Sequence, residues 1–182
     1  MWSKWRYNRK VVARFEKVTR EQFLKDALEL IKDGEMKYFT EEQLNVIYDN
    51  IKIPTRKTKG SAGHDFFAPF DITLHPGDTI TIPTGIRCCI DEDYVLDLYP
   101  RSGQGFIYRL RLNNTVAIID EDYYYSKNQG HIKVKLSNEG NKLFNCESGI
   151  GFTQGIFHEY FIAEGNEDPE AIRDGGLGST GM

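Results

Sequence analysis

The apolar positions of this chain change period near residue 50. Before it, Phe23, Leu24, Ala27, Leu28 and Ile31 recur at helical spacing, and Leu44, Ile47 and Tyr48 form a second stripe of the same kind. Each stripe has a capping pattern at its head, Thr19 with Gln22 and Thr40 with Gln43. Val18 with Phe23, and Phe39 with Leu44, supply the apolar pair that flanks such a cap. Gly34 suits the end of the first helix. The pattern predicts a helical pair within residues 1–50, whose apolar faces need a surface to bury against because short helices are marginal alone.

From Ile51 the period becomes two. Asp71–Leu74, Thr79–Ile82, Ile86–Ile90 and Tyr94–Leu98 read as short strands, with turns at His75-Pro76-Gly77-Asp78 and Asp91-Glu92-Asp93. Phe106–Leu112 and His131–Leu136 alternate, which predicts two more. Thr115–Ile119 is a continuous run, expected as a strand buried on both faces, and Gly151–Ala163 as a long late strand. Many short strands with regular turns argue a mainly β sandwich or barrel rather than a βαβ sheet. The chain therefore divides into a helical appendage at 1–50, a β core at 51–163 and a tail at 164–182, acidic and then glycine-rich.

A length of 182 residues allows one domain with a real core and an appendage. The balance of 23 Lys and Arg against 27 Asp and Glu gives a net charge of -4, which argues against wholesale electrostatic binding of nucleic acid. An anionic nucleotide can still be held by a few local cations and a metal. No apolar run reaches the length of a membrane span. Residues 1–15 carry Lys4, Arg6, Arg9, Lys10 and Arg14 without an acid or a secretory apolar stretch, and are expected as a solvated, partly ordered arm. Cys88 and Cys89 are adjacent, so on a strand they point to opposite faces and make a poor bridging pair. With Cys146 they are expected as small buried groups in a reducing cytoplasm. His64, His75, His131 and His158 show no zinc-ligand spacing.

Five short motifs carry the candidate chemistry. They are Ala62-Gly63-His64-Asp65; Pro100-Arg101-Ser102-Gly103; Asn114 through Ile119-Asp120-Glu121-Asp122-Tyr123; Gly149 to Gln154; and Gly175-Gly176-Leu177-Gly178-Ser179-Thr180-Gly181. Arg101 offers a planar, permanently charged fork suited to phosphate oxygens, Ser102 a hydroxyl donor, and Gly103 close backbone approach. Asp120 closes an apolar run, where a carboxylate is costly without a partner or a task. A glycine-rich stretch with Ser and Thr can wrap phosphates with amides and hydroxyls. Judged singly, the Arg101 motif reads better as a surface turn and the glycine-rich segment as a tail, while Asn114 and Tyr123 read equally well as an ordinary turn and core edge.

Taken in this order, the five motifs resemble the trimeric dUTP pyrophosphatase family, phage and bacterial members included, over roughly residues 51–182. The resemblance implies a jelly-roll-like β fold and hydrolysis of dUTP to dUMP and pyrophosphate. It implies that Asp120 activates the water that attacks the α-phosphorus. It assigns Arg101, Ser102, Gly103, Gln154, Arg173, Gly178, Ser179 and Thr180 to the phosphates. Asn114, Val116, Ile119, Tyr123 and Leu177 fall to uracil and deoxyribose, with the Tyr123 ring excluding a 2'-hydroxyl. Mg2+ is the implied cofactor, with Asp65 either holding it through water or bracing the fold. A homotrimer with shared sites is the implied assembly, with no direct nucleic-acid or membrane partner. The pattern departs from the family at His64, where Tyr is usual, and at Ala117, where Gly is common. It departs again at Gly151, where a basic residue is common, and at Leu177, where Phe is usual. Arg173 stands one residue nearer the glycines than the family's arginine, and residues 124–129 are inserted. Two other readings stay open: a dUTP-sensing module that reports through residues 1–50 or 124–129, and the related dCTP deaminase, for which Glu121 would be the proton carrier.

Overall fold

The computed structural model describes residues 9–165. In chain order the elements are β1 (Ala13–Lys17), α1 (Arg20–Lys32), α2 (Glu41–Asn50), β2 (His64–Phe67), β3 (Ile72–Leu74), β4 (Thr79–Pro83), β5 (Ile86–Ile90) and β6 (Tyr94–Pro100). There follow α3 (Ser102–Tyr108), β7 (Leu110–Leu112), β8 (Ala117–Ile119), a 3-10 turn (Glu121–Tyr125), β9 (Lys133–Asn138), β10 (Phe144–Cys146) and β11 (Gly151–Glu159). The strands pair antiparallel in four sheets, ordered β1-β5, β10-β3, β2-β11-β6-β8 and β4-β9-β7. The class is mainly β, as expected, and no sheet closes into a barrel among the described residues.

The helical pair forms where the apolar stripes predict it, because its caps are local. Thr40 accepts from the Gln43 backbone N–H while the Gln43 side chain accepts from the Thr40 N–H, closing the box at the head of α2. At α1 only half of the box closes. Thr19 Oγ1 accepts from the Gln22 N–H, but the Gln22 side chain turns inward to Asp26. Gln129 takes its place, its Oε1 accepting from the Thr19 N–H at 3.0 Å. Phe23, Ala27 and Leu30 of α1 and Leu44 of α2 lie in the same hydrophobic cluster as Phe66, Ile82, Leu96 and Phe152 of the strands. Burial of each large side chain of this kind contributes about 1.5–3 kcal/mol.

Several sequence expectations change here. The end of the expected solvated arm, Ala13 to Phe15, instead lies in β1, which pairs with β5. The cause is Phe15, whose ring lies 5.5 Å from His64, 5.5 Å from Phe66 and 5.7 Å from Phe157. Phe106–Leu112 is not one strand. Ser102–Tyr108 is helical, Arg109 takes a left-handed conformation that ends the helix, and only Leu110–Leu112 is extended. Phe106 is 90% exposed, so the alternation there did not report a buried face. Thr115–Ile119 is not buried on both faces either. Only Ala117–Ile119 is extended, it forms the edge of its sheet, and Ile118 is 63% exposed. The late strand stops at Glu159 rather than Ala163, and the His131–Leu136 strand is displaced to Lys133–Asn138. Cys88, Cys89 and Cys146 are free, with Cys88 and Cys146 buried.

Candidate active site

The four-stranded sheet carries Asp65, Gln154 and Ile119, and Arg101 and Asp120 directly follow two of its strands. Asp65 on β2, Gln154 on β11 and Tyr99 on β6 stand in one row across three paired strands. Arg101 follows directly from β6 and caps α3. Its Nε lies 3.3 Å from Asp65 Oδ1 and its Nη1 donates to the Gly151 carbonyl at 2.9 Å. A Cβ at position 151 would stand 3.0 Å from Arg101 Nη1 and 3.3 Å from Asp65 Cβ, so the missing side chain is the space the guanidinium uses. Gln154 donates to the Pro100 carbonyl at 3.2 Å. Ser102 and Gly103 are exposed at the head of α3. This brings Asp65, Arg101, Ser102, Gly103 and Gln154 together as one cluster.

The other motif residues surround β8. Asn114 and Val116 precede it, Ile119 ends it, and half-buried Asp120 caps the 3-10 turn, its carbonyl accepting from the Tyr123 N–H at 3.2 Å. Asn114 and Ala117 line a cavity of about 300 Å³ with Glu35, Lys133 and Val134. Tyr123 is buried. Its hydroxyl donates to the His131 carbonyl at 2.8 Å and accepts from Asn128 at 2.8 Å. Residues 124–129, which follow, are held against β1, β5 and the head of α1. Tyr124 donates to Glu16 at 2.8 Å, the Arg87 guanidinium sits 3.7 Å from the Tyr124 ring, and Gln129 donates to Thr19 Oγ1 at 3.1 Å.

A single chain does not bring these two groups together. In the β6·β8 ladder Leu98 faces Ala117 and Leu96 faces Ile119, so Asp120 falls beside the start of β6 and Arg101 beyond its end. At ~3.3 Å per residue the path from Val95 to Arg101 is roughly 20 Å. Arg173, Leu177, Gly178, Ser179 and Thr180 lie outside the described residues.

Glu121 lines a second, acidic cavity with Asp91, Glu92, Asp93 and Asp122. Burial and the neighbouring Glu92, Asp93 and Asp122 carboxylates raise its pKa. Sequence reasoning also missed two features of the interior. Gln104 Nε2 shares the Gly151 carbonyl with Arg101, donating at 3.0 Å, and its only signal was its place just after the Arg101 motif. Asp26 and His131 form a buried pair at 2.5 Å, joined by Lys133 at 2.9 Å. Burial pushes the Asp26 carboxyl up, but the hydrogen bonds from His131 and Gln22 outweigh it and hold the group at about 2. Burial pushes His131 below its ordinary range, so the pair is a neutral imidazole on a carboxylate. Its signal was a polar pair, Gln22 and Asp26, set four apart within the first stripe.

The dUTPase family profile matches residues 49–181. The chain belongs to the dUTPase family. It is 38% identical over 133 residues to the deoxyuridine 5'-triphosphate nucleotidohydrolase of Lactococcus lactis, covering 72% of this chain and 89% of that protein. The solved dUTPase of Streptococcus mutans superposes with a TM-score of 0.60 at 27% identity, over 83% of this chain and 98% of that one. A dUTPase from phage phi11 of S. aureus, solved with a structural Mg(II) ion, shares the fold at a TM-score of 0.55 and 20% identity, over 69% and 94% of the two chains. The family match begins at residue 49, so α1 and nearly all of α2 lie before it.

Proposed function

We propose that this protein hydrolyses dUTP to dUMP and pyrophosphate, at sites shared between the subunits of a homotrimer. The observation that carries the reading is the family match across residues 49–181, with Asp120 and Arg101 in the motif positions. Asp120 holds and polarises a water for attack on the α-phosphorus. A carboxylate has a reference pKa of ~4 and is a weak base at neutral pH. Most of the rate therefore comes from positioning and from neutralising phosphate charge. Arg101 supplies a cation already fixed on two sides, with Ser102 and Gly103 as neighbouring donors. Asn114 and the backbone around Val116 and Ile119 take the uracil edge, and Tyr123 packs on the deoxyribose. The distance between the Asp120 and Arg101 ends of the sheet supports sites completed by a second copy, and the exposed Ile118 on β8 supports a packed face there. The closing arm is assigned to Arg173, Leu177, Gly178, Ser179 and Thr180.

Among the described residues no three His, Cys, Asp or Glu side chains converge as a metal site. Asp65 Oδ1 already faces Arg101. This donor set fits magnesium that arrives on the triphosphate, keeps its waters and meets Asp65 through one of them. The ion would neutralise the phosphate oxygens.

The test is pyrophosphate release from dUTP with Mg2+, in wild type and Asp120→Asn. A fall of roughly 10²–10⁴ in kcat is expected. Equal rates would refute the role of Asp120. Ammonia release from dCTP would favour the deaminase reading instead.

A further inference from the structure

Asp26 lies on α1, before the start of the family match, yet it touches Lys133, which lines the cavity beside Asn114, and His131, whose carbonyl holds the Tyr123 hydroxyl. Its side chain is 3% exposed as a residue and fully occupied. Oδ2 faces His131 Nδ1 at 2.5 Å and accepts from Gln22 Nε2 at 2.9 Å, while Oδ1 faces Lys133 Nζ at 2.9 Å. The tautomer follows from the other side of the ring. The Gly85 backbone N–H can only donate, and it donates to His131 Nε2 at 2.9 Å. The imidazole proton is therefore on Nδ1, pointing at Asp26. With the ring held at both nitrogens, the His131 carbonyl is set as well, and that carbonyl accepts the Tyr123 hydroxyl. On the other branch, the Lys133 ammonium is drawn to Asp26 beside the cavity that Asn114 and Ala117 line.

Packing alone does not call for this arrangement. Position 26 is flanked on the same face by Phe23, Ala27 and Leu30, all buried, and an apolar side chain there would fill the space. A buried carboxylate costs several kcal/mol unless it is paired and hydrogen-bonded, and a well-packed apolar replacement is often neutral or better for stability. We propose that Asp26 is a positioning residue for nucleotide selection. Through His131 it fixes the Tyr123 surface that packs on the sugar, and through Lys133 it fixes one wall of the base cavity. The inference rests on the dUTP-hydrolysing reading and adds to it a specificity role for the helical segment.

The experiment uses the full chain and steady-state pyrophosphate release with dUTP, UTP and dCTP, alongside a thermal melt. Asp26→Asn keeps the shape and removes the charge. The expected result is a folded protein with KM for dUTP raised about tenfold, kcat changed by about twofold or less, and the preference for dUTP over UTP reduced about tenfold. Lys133→Gln keeps a donor and cuts one branch only. It is expected to lower the preference for dUTP over dCTP while leaving the dUTP to UTP ratio in place. A folded Asp26→Asn protein with wild-type KM and wild-type preference overturns the inference. Should Asp26→Asn not fold, an unchanged base preference in Lys133→Gln overturns it equally. Wild-type protein inactive on dUTP would sink the underlying reading, whereas an active wild type with indifferent variants sinks the inference alone.

Discussion

Position 151 shows how much a missing side chain can hold in place. The Arg101 guanidinium lies over Gly151, bound to its carbonyl and to Asp65. Gly151→Ala would put a methyl group 3.0 Å from Nη1 and 3.3 Å from Asp65 Cβ. The guanidinium must then shift by a few tenths of an ångström or swing out. A severalfold rise in KM for dUTP is expected, since sub-ångström placement of a charged clamp governs its value, and kinetics on the purified variant check it. The buried pair gives a second prediction at this scale. His131 is held below its unfolded pKa, so below about 6.5 the unfolded chain binds a proton that the folded chain refuses. Asp26 is held at about 2, so its contribution is present above the ordinary carboxylate range and is lost only as pH falls towards 2. Both terms make stability rise with pH. Unfolding free energy should fall on acidification below pH 6.5, by up to about 1.4 kcal/mol per pH unit for the His131 proton. Denaturant titrations at pH 7.5, 6.5 and 5.5 measure that slope. A folded His131→Asn variant should show a shallower one.

At the scale of elements, the outcome depends on whether the information is local. The α2 cap needs only Thr40 and Gln43, and it was legible in four consecutive residues. Thr40→Ala should cost about 1 kcal/mol, read as a lower denaturation midpoint at constant m-value. The α1 cap borrows Gln129 from far along the chain, which no local pattern can announce. The same limit explains the strand misreadings. Phe106 and Ile107 carry the apolar signal of a strand, but Gly103, Gly105 and the left-handed Arg109 let that segment coil, and both side chains remain outside. β1 was missed because its reason for existing is Phe15 against rings at 64, 66 and 157, contacts set by tertiary structure. The motif residues were legible as candidates by type and order, since a phosphate and sugar site of the kind proposed would leave few residue types to choose from. What they touch was not: Arg101 on Gly151, or Tyr123 on the His131 carbonyl, follows only from the folded register.

At the scale of the whole molecule, the two halves of the proposed site sit at opposite ends of one ladder. Under the shared-site reading, Asp120→Asn and Arg101→Ala proteins are each inactive. Mixed and reassembled in equal amounts, they should recover roughly a quarter of wild-type turnover, since each site then has an even chance of either intact half. No recovery after demonstrated subunit exchange would place both groups in one chain's site. Specific activity should also decline on dilution, in step with the loss of trimer seen by sedimentation.

The edge strand β8 has a further consequence. Unpaired strand edges invite pairing without end, strand onto strand. Here the free edge is only Ala117–Ile119, closed off by Thr115 at a φ of 63° on one side and by the 3-10 turn on the other. So short a rung gives little purchase for a growing fibre, while Ile118 still offers an apolar surface for a neighbour to cover. Contact through that face would proceed by side-chain packing rather than by extension of the sheet, and packing of that kind can stop at a closed ring.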